Sequence, residues 1–76
     1  MAELLAYLAR QLVDEPDAVS VEEVERQGAV VLELRVAKDD IGKVIGRQGR
    51  IARALRAVVR ASGARSHRRV LLEIVD

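Results

Sequence analysis

The 76-residue sequence contains no cysteine, tryptophan or phenylalanine, and only one tyrosine, one histidine and one proline. Without cysteine there is no disulfide framework and no thiolate metal site. With His67 as the lone imidazole, a multi-histidine centre is excluded too, so neither a metal nor a cofactor is expected. A nucleophile–base pair and a set of facing carboxylates are also missing, and with them the usual signatures of an enzyme. Long apolar runs are absent, and Met1 is followed by Glu3 rather than by a basic segment. That pattern argues against a signal peptide or a membrane span and for the cytoplasm.

What is present reads as one small globular domain over residues 1–76. Half of the residues are hydrophobic and a third are charged, a balance far from that of disordered chains. The net charge is only +1, but it is unevenly spread. Residues 1–40 hold ten acids and four bases, a formal −6, whereas residues 41–76 hold nine bases and two acids, a formal +7. The basic half focuses a positive field, while the acidic half discourages indiscriminate sticking to polyanions.

Leu4, Leu5, Leu8 and Leu12 recur at helical spacing among alanines, which predicts a helix over 2–13. Asp14-Glu15-Pro16-Asp17 ends it, because a proline biases the residue before it away from helix. Tyr7 reads as a packing residue with a wet hydroxyl. Residues 18–26 are strand-like, with a bulge expected where the alternation slips from Val21 to Val24. Gln27-Gly28 turns the chain into a second strand, 29–37, with Val30, Leu32, Leu34 and Val36 on one face. Asp39 or Asp40 would cap a short helix running to Ile45.

A stronger helix follows at 50–62. Ile51, Ala54, Leu55, Val58 and Val59 form its apolar face, with Arg50, Arg53, Arg56 and Arg60 opposite. Gly63 would close it as a C′ residue, and a basic connection leads through His67 to a third strand, 70–75. A two-helix crossover between the last two strands favours parallel pairing with a right-handed connection. The fold class is thus α+β, α-β-β-α-α-β, a three-stranded mixed sheet with strand 29–37 central and helices on one face. Val31, Leu71 and Val75 would lie on the uncovered face, an apolar surface suited to a partner.

Between the two helices lies Val44-Ile45-Gly46-Arg47-Gln48-Gly49-Arg50. Two glycines let a foreign backbone approach closely, and the N–H groups that open the helix at Arg50 are anion donors. Arg47 and Gln48 project from the turn toward phosphate oxygens, with Lys43, Arg50 and Arg53 adding charge beside them. Val44 and Ile45, with Val36 nearby, offer an aliphatic floor for bases. An arginine face alone is often just a solvated face; here it continues into the glycine turn. The match to a Walker loop or a dinucleotide fingerprint is absent.

These parts resemble a type II KH domain, whose Gly-x-x-Gly loop clamps the backbone of about four nucleotides of single-stranded RNA. Along its length, from the leucine-rich first helix through Ile41-Gly42-Lys43-Val44-Ile45-Gly46 to Leu72-Glu73-Ile74-Val75-Asp76, the chain is similar to the KhpA family of small stand-alone bacterial KH proteins. Ala52 stands where the broader KH pattern has a bulky aliphatic residue. The resemblance implies an RNA chaperone that forms homodimers, or heterodimers with a KhpB/Jag-type RNA-binding protein, in cell-shape and cell-wall control. It implies RNA contacts at Lys43, Val44, Ile45, Gly46, Arg47, Gln48, Gly49, Arg50 and Arg53. A protein–protein adaptor on the same scaffold is the competing reading; it would have no use for an intact Gly-x-x-Gly turn.

Overall fold

A computed structural model describes residues 1–75; Asp76 lies outside the described residues. Helix α1 spans Ala2–Leu12 and ends at Val13 in extended conformation. Pro16–Ala18 form a single 3₁₀ turn, closed by the Val19 N–H donating to the Pro16 carbonyl at 3.1 Å. Strand β1 therefore starts at Ser20 and runs to Arg26. It pairs antiparallel with β2, Ala29–Arg35, which pairs in parallel with β3, Val70–Val75. Helices α2, Ile41–Ile45, and α3, Arg50–Arg65, make the crossover. The order is the expected α-β-β-α-α-β of a type II KH domain, with β2 central in the sheet.

The expected bulge is not there: all seven residues of β1 pair in unbroken register with β2. Val21 faces the helices opposite Leu34, and Val24 faces outward opposite Val31. The apparent slip in the pattern is a strand with apolar residues on both faces. On the outer face Glu22, Glu33 and Glu73 form one row across the sheet, and Val24, Val31 and Leu71 the next. Glu33 is buried in that face, and its carboxylate accepts a 2.7 Å bond from Arg26, which also reaches Glu73 at 3.4 Å; Arg35 stands 3.7 Å away. Val31 is buried, leaving Leu71 as the exposed apolar residue of this face. The outer face is thus less open than the sequence suggests, because long charged side chains cover their apolar neighbours.

The apolar surface that remains open lies elsewhere. The face that α1 buries is Leu5, Ala6 and Ala9, and Leu4 is left 47% exposed. The face that α3 buries is Ala52, Leu55, Val59 and Gly63, not the Ala54 and Val58 of the predicted stripe. A groove between the two helices, lined by Leu8, Leu12, Ile51, Ala54 and Val58, is almost wholly apolar.

Gly63 is not a helix stop. It lies inside α3, and a Cβ there would sit 2.7 Å from both the Arg68 carbonyl and Val70 Cγ2. Its missing side chain lets the helix close against the start of β3, and the reversal falls instead to Ser66 and to His67 at φ 56°.

Candidate nucleic-acid interface

Helix α2 is only five residues long and is held from below. Val44 is fully buried among Leu34, Leu55 and the rest of the core. It cannot serve as a floor for bases: the position anchors the turn rather than touching a ligand. Ile45, 38% exposed, can. Val36 is half-buried against the core.

Asp40 takes the expected N-cap position of α2, but its side chain makes no capping bond there. Its buried carboxylate instead accepts the Glu15 N–H at 3.0 Å and lies 3.4 Å from Lys43 Nζ. Lys43 in turn lies 3.1 Å from Asp14. This strap ties the α1–β1 connection to the helix that carries the turn. Lys43, a predicted RNA contact, therefore has its charge answered by two carboxylates.

Burial alone would raise the Asp40 carboxyl, but bonds from the Glu15 and Asp14 backbones and from Lys43 outweigh it and hold the group below its ordinary value of 3.8. Lys43, hydrogen-bonded foremost to Asp14 and then to Asp40, is raised above 10.5. A lowered carboxylate stabilises fully above its unfolded pKa, and that contribution fades as pH falls through the folded value. A raised lysine stabilises fully below its unfolded pKa and loses the contribution as pH rises through the folded one. The strap is thus expected to be intact from about pH 5 to pH 9. In Asp40→Asn the melting-temperature deficit should shrink below pH 3.8; a deficit that persists in acid would refute the assignment.

The turn itself runs from Gly46 to Gly49. The Gly46 N–H closes α2 on the Gly42 carbonyl at 2.9 Å. Gly46 adopts φ 76°, ψ 171°, and a Cβ there would lie 2.7 Å from Ile51 Cγ1. Arg47–Gly49 then form one 3₁₀ turn in which Gln48 is left-handed at φ 56°. Gly49 follows at φ 73°, with nothing within 4 Å of where a Cβ would be. The two glycines thus differ: Gly46 lets the turn pack on its own helix, and Gly49 leaves open space in front of it.

That space opens onto a groove of about 280 Å³ lined by Ile41, Ile45, Gly49, Ala52, Arg56 and Ile74. Arg47, Gln48, Arg50 and Arg53 are all exposed, Arg47 and Gln48 on the turn itself, while Arg50 borders the α1–α3 groove. No side chain caps the first turn of α3; within the turn the Gly49 N–H donates to the Gly46 carbonyl at 3.1 Å and the Arg50 N–H to the Arg47 carbonyl. The arrangement can hold a phosphate at the turn while an unstacked base lies on the aliphatic floor.

Ile41, Ala52, Arg56 and Ile74 were not among the predicted site residues. A signal existed for three of them: Ala52 and Arg56 follow Gly49 at helical spacings of three and seven residues, and Ile74 is on the inward side of β3. No group of three histidine, cysteine or acidic residues able to hold a metal occurs among the described residues. Nor is any described helix long and apolar enough to cross a membrane.

Residues 2–74 match the family described as KhpA/KhpB, KH domain. Three proteins named RNA-binding protein KhpA are similar over almost the whole chain. That of Treponema pallidum is 54% identical, over 97% of this chain and 92% of its own length. That of Clostridium acetobutylicum is 49% identical, over 99% and 100%. That of Caldanaerobacter subterraneus is 48% identical, over 99% and 100%. Among solved structures, a crystal structure of an Aquifex aeolicus Era variant superposes with a TM-score of 0.66 at 20% identity. It covers 96% of this chain and 28% of Era, a likeness of fold alone.

Proposed function

The chain belongs to the KhpA/KhpB KH-domain family, and from that premise we propose that it is a single-stranded RNA-binding protein, not an enzyme. In this reading the Gly46–Gly49 turn clamps the backbone of about four nucleotides and the adjoining groove takes their bases. The observation that carries it is the open space at Gly49, set between exposed arginines and an aliphatic groove. Open space at a left-handed glycine has no use in packing; it suits a backbone coming in from outside. Base contacts here are apolar and few, so the phosphate contacts give position more than sequence.

Arg53→Ala tests the reading. It should weaken binding to every unstructured RNA alike and reduce the slope of log K against log salt by about 0.7, one single-strand phosphate contact. A loss confined to some sequences would contradict the role given to Arg53.

One module without aromatic stacking binds weakly, and pairing raises the effective affinity. We place the protein in the cytoplasm as an RNA chaperone, self-associating or joined to a KhpB/Jag-type RNA-binding partner, in the control of cell shape and wall synthesis. Crosslinking in cells followed by sequencing would name its RNAs, and recovery of none would sink this role.

The adaptor reading keeps one observation in its favour, the apolar α1–α3 groove with Val58 39% exposed beside it. Self-association through this groove makes a direct prediction. Val58→Glu should then shift sedimentation toward monomer while leaving the affinity per monomer for a short RNA intact. An unchanged oligomeric state would remove this face from consideration.

A further inference from the structure

We propose that Lys43 acts on RNA as a positioning residue and not as a phosphate contact: held between Asp14 and Asp40, it fixes the short helix α2 against the α1–β1 connection and so sets where the glycine turn stands. The inference rests on the RNA-binding reading above and concerns how that site is held in place.

The geometry leaves Lys43 little to offer a phosphate. Its Nζ lies 3.1 Å from Asp14 Oδ2 and 3.4 Å from Asp40 Oδ1. One cation and two anions sum to −1, so the group as a whole repels a polyanion. Nor does the ammonium leave at little cost. Asp40 is 2% exposed, and its other oxygen is taken by the Glu15 N–H at 3.0 Å. A Lys43 that turned to a phosphate would leave that buried carboxylate without its cation. Arg47, Arg50 and Arg53 are under no such constraint, having no carboxylate partner among the described residues.

Helix α2, for its part, needs an outside tie. Its five residues are little more than one turn, too few to hold a helix or its direction unaided. Val44 fastens it to the core, and Gly46 at its end opens the glycine turn. One buried side chain fixes a point but leaves the helix free to pivot about it. Lys43 and Asp40, three residues apart and therefore neighbours on one side, supply a second point. Two points set the direction of α2, and with it the place of Gly46.

The far end of the tie is itself firm. Asp14 and Glu15 stand between the end of α1 and the 3₁₀ turn that Pro16 opens, where the Glu15 carbonyl accepts the Ala18 N–H at 3.1 Å. The only proline of the chain stands at this spot and locks one backbone angle there. The connection is thus a post to which α2 is tied, and the tie is made by side chains that the sequence places 25 or more residues apart.

The test is Lys43→Met combined with Asp40→Asn, titrated against a short unstructured RNA over a range of salt, with circular dichroism at the same temperature to show the fold. The pair cuts both ties of Lys43 yet keeps the local charge at −1, now that of Asp14 alone. Asparagine can still accept the Glu15 N–H, so no buried charge is orphaned. Affinity should fall by about fivefold while the slope of log K against log salt keeps its wild-type value, because no phosphate contact has gone. A slope shallower by about 0.7 would make Lys43 a phosphate contact. Wild-type affinity in the folded variant would leave the strap a stabilising device without a part in binding. Either result overturns the proposal. Should the pair fail to fold, Asp14→Asn alone decides, since Asp14 is exposed and its loss raises the local charge to zero. Positioning predicts weaker binding despite that gain in charge; binding as tight as wild type, or tighter with a steeper slope, would overturn it. If wild-type protein binds no RNA, the RNA reading itself falls. If it binds and the variants behave as a contact requires, only the role given to Lys43 falls.

Discussion

Replacing Arg47 and Gln48 together by aspartate removes binding of a short unstructured RNA, a loss of about a hundredfold or more, and leaves thermal unfolding where it was. Both side chains are exposed on the turn and neither makes a hydrogen bond or ion pair within the described residues. Aspartate tolerates the left-handed conformation that Gln48 adopts, so the backbone has no reason to move. What changes is the charge presented to a phosphate. A cation becomes an anion and a neutral donor becomes an anion, a swing of three at the mouth of the groove. Two charged or polar contacts at about 1.5 kcal/mol each account for about a hundredfold before any repulsion is added. Anisotropy titration measures it. Unchanged affinity would mean that the turn is not the clamp, and a lowered melting temperature would trace the loss to unfolding instead.

The two glycines of the turn should separate in the same experiment. Gly46→Ala is expected to cost about 3 kcal/mol or more, lowering the melting temperature by about 12 °C or more. Its φ 76°, ψ 171° belongs to a region reserved almost entirely for glycine, and the new methyl would meet the Ile51 side chain at 2.7 Å and its backbone nitrogen at 2.9 Å. Backbone cannot yield as a flexible side-chain tip would. Gly49→Ala meets nothing within 4 Å and bears only the strain of its left-handed φ, about 1 to 2 kcal/mol. Its effect is expected on RNA, because the methyl occupies the space left for the ligand. Equal melting temperatures for the two variants would contradict the turn geometry.

The sequence carried the order of elements, the central place of β2 and the parallel return of β3, because period-2 and helical patterns are local and strong. The glycine turn was legible for the same reason. What local pattern could not carry was anything decided by a residue far along the chain. Gly63 has the composition of a stop, but Val70, across the reversal, makes it a close-packing position. Asp40 has the composition of a cap, yet the Glu15 N–H, 25 residues earlier, claims its carboxylate. Lys43 looks like a free cation until Asp14 is brought beside it. Val24 breaks a one-sided alternation only because Glu33, Arg26 and Glu73 make the outer face partly interior. The buried stripe of α3 was misplaced for a related reason: helical periodicity locates an apolar arc, but the α1–α3 groove decides which part of it stays wet.

The parallel pairing of β2 with β3 also sets an order in time. The turn and its flanking arginines lie between the two strands in the sequence, and synthesis reaches them before Val70–Val75 exist. Yet α3 rests on β3, and the groove beside Gly49 needs Ile74 for its wall. Pairing of distant segments comes late in folding, because loop closure must be met before the contacts reward it. If the turn clamps RNA as proposed, a chain still being made carries it without a working site. On that reading competence for RNA arrives when β3 docks.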